Sequence, residues 1–143
     1  MKTSWIKLLT VGTLTLGASA LRLPAADAPA AVIVHEGVTA ASLDKTALKD
    51  ILLGKTAYWE GGLGIIIIVV PDKTEAALQE TTGMSASQFR THWQRLTFSG
   101  RGKQPKEADA AEKVVALVAQ TKGAIALVPA GTPLQGVKKI ELK

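Results

Sequence analysis

The run "IIIIVV", Ile65 to Val70, is six β-branched residues with no polar residue among them. A strand with one face in water alternates apolar and polar side chains, whereas an unbroken apolar run suits a strand covered on both faces, as in a sheet flanked by helices. Six residues fall far short of the roughly 20 that a bilayer span needs. The run therefore predicts an α/β domain with a central, doubly covered strand at 65–70.

Upstream, "AVIVH" (31–35) is a second short strand ended by Glu36-Gly37. In "ASLDKTALKDILLG" Ser42 is placed as an N-cap, Leu43, Ala47, Leu48, Ile51 and Leu52 recur at helical spacing, and Gly54 stops the helix. Downstream, Asp72 and Glu75 have capping-box spacing for a helix through Gln79, and Ser85 opens another whose Phe89, His92, Trp93 and Leu96 share a face. Asp109 and Glu112 repeat that spacing ahead of Ala111, Val114, Val115 and Val118. "KGAIALVP" becomes a strand that Pro129 ends, and "VKKIEL" is expected as an edge strand whose lysines discourage unwanted pairing. The order is β-α-β-α-α-α-β-β in one domain, without internal repeats.

Among the 143 residues, the first 20 have Lys2 and Lys7, a short apolar stretch from Leu8 to Gly17, and Ala18-Ser19-Ala20 in the small-residue arrangement of a cleavage site. Residues 1–20 are expected to be a cleaved signal peptide, 21–30 a flexible Ala- and Pro-rich lead-in, and 31–143 the folded domain, with no membrane span after cleavage. Export without a single cysteine means a domain held by its core alone, which suits a bacterial periplasm. Cleavage removes two lysines and leaves a formal net charge of +3 from the original +5. That is too little for a nucleic-acid partner.

Candidate chemistry is sparse. Gly54-Lys55-Thr56 resembles the tail of a P-loop, but the glycine that motif needs five positions earlier is Lys49 here, and Gly54 reads as a helix stop. His35 and His92 have no metal-ligand spacing. There is no cysteine nucleophile or G-x-S-x-G elbow, and no carboxylate pair spaced for acid-base work. A non-enzyme without metal or cofactor is expected. Trp59 and Trp93 read as a loop anchor and a core residue rather than stacking platforms.

"FSGRGKQPKEAD" (98–109) is the stretch best suited to an anion. Gly100 and Gly102 permit backbone geometries that present N–H groups, Ser99 offers a hydroxyl, Arg101 can hold an oxyanion through two parallel bonds, and Lys103 adds a point charge. A solvated connector stiffened by Pro105 is the equal alternative.

Several pieces then fall into one order: "SLDKTALKDILLGKTAYWEGG", the buried strand, "MSASQFRTHWQRLTFSGRGKQP" and "DAAEKVVALVAQTKGAIALV". Together they resemble the short exported relatives of the phosphate-binding component of ABC importers. The matching residues are Ser42, Leu43, Leu53, Gly54, Lys55 and Trp59, then Gly100, Arg101 and Gly102, then Gly123, Ala124 and Ile125. The resemblance implies a single periplasmic-binding-protein-like lobe, a mixed sheet flanked by helices. It also implies binding of phosphate or a related oxyanion for uptake or sensing, with an ABC permease or another periplasmic protein as partner. The chain departs from that family after the buried strand, where an arginine and a serine-glycine-threonine loop give way to "PDKTEAALQE". There Thr74 and Glu75 are the remaining candidates, through a hydroxyl and two backbone N–H groups, although Asp72 and Glu75 put negative charge where an anion would sit. A protein-interaction module with a decayed anion site is the alternative function.

Overall fold

A computed structural model describes residues 30–143; the expected signal peptide and residues 21–29 of the lead-in lie outside the described residues. The elements are β1 (Ala31–His35), β2 (Ser42–Leu43), α1 (Lys45–Leu52), β3 (Ile66–Val69), α2 (Pro71–Thr82), α3 (Ala86–Phe98), β4 (Lys106–Glu107), α4 (Ala111–Gln120), β5 (Ala124–Val128) and β6 (Val137–Leu142). They form one six-stranded mixed sheet in the order β2-β6-β1-β5-β3-β4, flanked by helices. β1 is antiparallel to β5 and β6, while β3 runs parallel to β5 and β4, and β2 parallel to β6. Five strands therefore deliver their carboxyl ends to one end of the sheet, beside the start of β1.

The 65–70 run behaves as its composition requires. Ile67 and Val69 join Val32, Val34, Ile125 and Leu127 under α1, α2 and α3, whereas Ile68 and Val70 join Ile33 and Val128 under α4. On the α4 side β5 presents Ala124 and Ala126, whose small side chains leave room for Val114 and Val118, both fully buried. Ile67→Ala is expected to cost about 2 to 5 kcal/mol, read by urea unfolding; a cost below about 1 kcal/mol would place the strand at an open surface.

Differences from the sequence reading lie at element ends and in two short strands, β2 and β4, that it does not contain. Ser42 is in β2, not an N-cap; Asp44 holds that position, without a side-chain bond. α2 begins at Pro71, whose missing N–H and preset φ favour the first helical position, so Asp72 and Glu75 form no capping box. α4 is preceded by Ala110 instead of Asp109, and again no capping box forms. Only Ser85 caps as expected, in a reciprocal pair with Gln88. β6 is not at the edge, because the two-residue β2 pairs with its end. β3 lies second from the opposite edge, where β4 covers only Ile68 and Val69.

Two tryptophans tie distant segments together. The indole of Trp59 donates to the Gly123 carbonyl (2.9 Å), closing the loop between α1 and β3 onto β5. Trp93 donates to the Leu52 carbonyl (2.9 Å), and His92 Nε2 lies 2.8 Å from that of Leu53, so it must carry the proton. Both satisfy carbonyls at the end of α1 that have no partner within the helix. His35 is likewise structural, its Nδ1 accepting from the Gly37 N–H (2.9 Å).

Candidate functional site

In open α/β sheets, ligands bind in the crevice outside the carboxyl ends of the strands. There the structure has an open cavity of about 360 Å³ lined by Lys73 at the start of α2, Ala110, Ala111 and Glu112 at the start of α4, and the Pro129–Pro133 loop after β5. The Thr132 hydroxyl and N–H both turn back onto the Pro129 carbonyl (2.7 and 3.2 Å), which shapes that loop. No side chain caps α4, so the N–H groups of its first turn are left for solvent or a ligand. Charge around the crevice is mixed. Asp109 on its rim is bound by Lys113 (2.7 Å), and its pKa is held below the usual carboxylate value, chiefly by the hydrogen bond from that lysine. A second depression of about 370 Å³ lies between α1 and α2, with Lys45, Lys49 and Glu80 on its wall.

The seven residues singled out in the sequence separate into two groups. β4 runs parallel to β3 with Lys106 beside Ile68, so the 99–105 segment enters from the amino end of β3, whereas Thr74 and Glu75 follow its carboxyl end. Thr74 is buried and interrupts the helical backbone of α2 (φ −126°, ψ 16°). Its hydroxyl (2.9 Å) and N–H (3.1 Å) both donate to the Val70 carbonyl, so neither is turned outward. The Glu75 carboxylate accepts from the Ala86 N–H at the start of α3 (3.4 Å).

In the 99–103 loop the N–H groups of Ser99, Gly100 and Arg101 are likewise engaged. Gly100 takes the left-handed conformation (φ 72°) that ends α3; its N–H donates to Thr97 O (3.1 Å) and that of Arg101 to Leu96 O (2.9 Å). This double bond pattern closes a helix C-terminus. The Ser99 hydroxyl donates to Leu96 O (3.0 Å). Gly102 is there for room, since a Cβ would lie 2.9 Å from the Trp93 ring. The Arg101 guanidinium and Lys103 ammonium remain exposed, without an ion pair among the described residues. Gly54 closes α1 with the same pattern, as its sequence reading required (φ 76°; Lys55 N–H to Asp50 O, 2.8 Å).

The residues that line the crevice escaped the sequence reading. Lys73 carries a weak signal as the first cation after the buried strand, and "PAGTP" as the turn that follows the other doubly buried strand.

No family model and no curated protein matches the chain. Among solved structures it is similar to a Clostridium perfringens protein described as a phosphate ABC transporter substrate-binding protein, with phosphate bound. That match has a TM-score of 0.62 and 20% identity over 79% of this chain and 44% of the other. It is also similar to an ABC-type phosphate transport receptor from Vibrio cholerae, with a TM-score of 0.54 and 14% identity over 79% and 45% of the two chains. The fold is that of a substrate-binding-protein lobe. The chain spans less than half the length of either structure. In this lobe the crevice occupies the end of the sheet where the fold class places ligands. The neighbours are binding proteins rather than enzymes. Among the described residues no helix is long and apolar enough to cross a membrane.

Proposed function

We propose that the chain is an exported, periplasmic solute-binding-type protein that holds a small oxyanion, phosphate first among candidates, for uptake or sensing. The observation that carries this reading is the crevice itself: the uncapped first turn of α4 and the Lys73 side chain line one cavity at the carboxyl ends of β3 and β5. The likeness to a structure with bound phosphate supports the choice of anion. Export follows from the signal-peptide reading of residues 1–20, with the mature chain 21–143 comprising the lead-in and one folded domain. An ABC permease is the proposed partner.

The crevice is open to water, so binding there is weaker and more salt-sensitive than in an enclosed site. Thermal melts of the mature protein should rise with millimolar phosphate, since a ligand at about 100 times its Kd adds about 2.7 kcal/mol. Lys73→Ala should abolish most of that rise while leaving the ligand-free melting temperature unchanged. Equal rises in both proteins would remove the crevice from the account. One observation favours a second reading, a protein-interaction module without anion binding: Asp109 and Glu112 both line the cavity. A melt that phosphate and sulfate leave unmoved is the result that reading expects.

A further inference from the structure

Between Glu80 and Glu107 the chain has no acidic residue but five cations, Arg90, Arg95, Arg101, Lys103 and Lys106. Elsewhere twelve basic residues balance twelve acidic ones, so the whole formal charge of +5 belongs to α3 and the segment that follows it. Only Arg90 is neutralised, by two parallel 3.1 Å bonds to the Glu107 carboxylate. The other four form no ion pair among the described residues. Within this basic stretch Phe98 is 92% exposed, in the last turn of α3 and three residues after Arg95 on the same side of the helix. Cβ atoms built at Gly54 and Gly102 would each come within 4 Å of Cη2 of the Trp93 indole. The backbone at Gly54 therefore lies near that at Gly102, which brings the segment that follows, with Lys55 paired to Asp50 (3.6 Å) and the exposed Tyr58, to the same part of the surface.

We propose that the end of α3 and the 99–106 segment dock an acidic partner protein, with Phe98 entering an apolar pocket of that partner while Arg95 and Arg101 pair with carboxylates around it. Aromatic and arginine side chains are the types enriched at the centres of protein interfaces, and the arginine fork matches a carboxylate bidentately. An anionic membrane would meet only one inserted ring and a few cations, which gives marginal attachment. The surface lies at the opposite end of β3 from the crevice, so the inference stands whether or not the crevice holds an oxyanion.

The test is a backbone-amide NMR titration of the mature protein with a synthetic peptide of alternating Glu and Leu, run beside phosphatidylglycerol vesicles. Saturable shifts confined to 94–106 and 54–58 are expected, with affinity falling about tenfold or more in Arg101→Ala and comparably in Phe98→Ala. Lys103→Ala should lose less, as a screened point charge, and Lys139→Ala on β6 should lose nothing. Both key side chains are exposed, so the melting temperatures should stay at the wild-type value. Shifts spread over all lysines, equal affinity in Arg101→Ala and Phe98→Ala, or binding to the vesicles in preference to the peptide would each overturn the proposal.

Discussion

Trp93→Ala is expected to lower the unfolding free energy by about 3 to 5 kcal/mol, the range for truncating a buried tryptophan. The residue is 4% exposed and meets Phe89 edge-on at 6.3 Å between ring centroids. Its N–H satisfies the Leu52 carbonyl at the end of α1 (2.9 Å), and Gly54 and Gly102 leave space for the ring. The truncation removes apolar contact and leaves a carbonyl unpaired, so two costs add. Trp93→Phe keeps most of the volume and should cost about 1 to 3 kcal/mol for the lost bond. Denaturant titration of both variants is decisive: a loss below about 1 kcal/mol in Trp93→Ala would mean that α3 is not seated on α1 as described.

Gly123→Ala is expected to be as damaging through the opposite error, too much volume. Gly123 has φ 81°, and a Cβ would lie 2.1 Å from the Gly64 carbonyl oxygen, a backbone atom that cannot swing aside. The left-handed conformation costs an L-residue about 1 to 2 kcal/mol, and relieving the clash adds about 1 to 3 kcal/mol as overpacking. The same residue's carbonyl accepts from the Trp59 indole (2.9 Å) and the Ile66 N–H (3.2 Å), so displacing it loosens the loop anchor and the start of β3 together. A circular-dichroism melt within about 3 °C of wild type, less than 1 kcal/mol usually shifts a domain of this size, would contradict this packing.

How much of the fold could be read from the sequence depends on what each element needs. Leu48, Ile51 and Leu52, or Val114, Val115 and Val118, announce a helix face because burial demands that spacing, and all six are buried. The unbroken 65–70 run announces cover on both faces for the same reason. β4, by contrast, is an exposed Lys-Glu pair whose strand character resides in backbone bonds to β3, and no side-chain pattern records it. Helix starts are hidden where Pro71 opens α2 directly and where Asp109 pairs with Lys113 instead of capping. In the site, Gly100 and Gly102 signalled a turn correctly. A glycine pair, however, does not reveal whether the neighbouring N–H groups point at an anion or, as those of Gly100 and Arg101 do, close a helix. Lys73 and the first turn of α4 meet only through the topology of the sheet, 38 residues apart for Lys73 and Ala111, and no local motif joins them.

Phosphate binding in the crevice at the carboxyl ends of β3 and β5 is tested most directly by a site-resolved titration. Backbone-amide NMR of the mature protein should show saturable shifts at Lys73, at Ala111 to Lys113 and in the 130–132 loop, with residues 99–103 unmoved. Saturable shifts centred on 99–103, or none anywhere at millimolar phosphate, would contradict it.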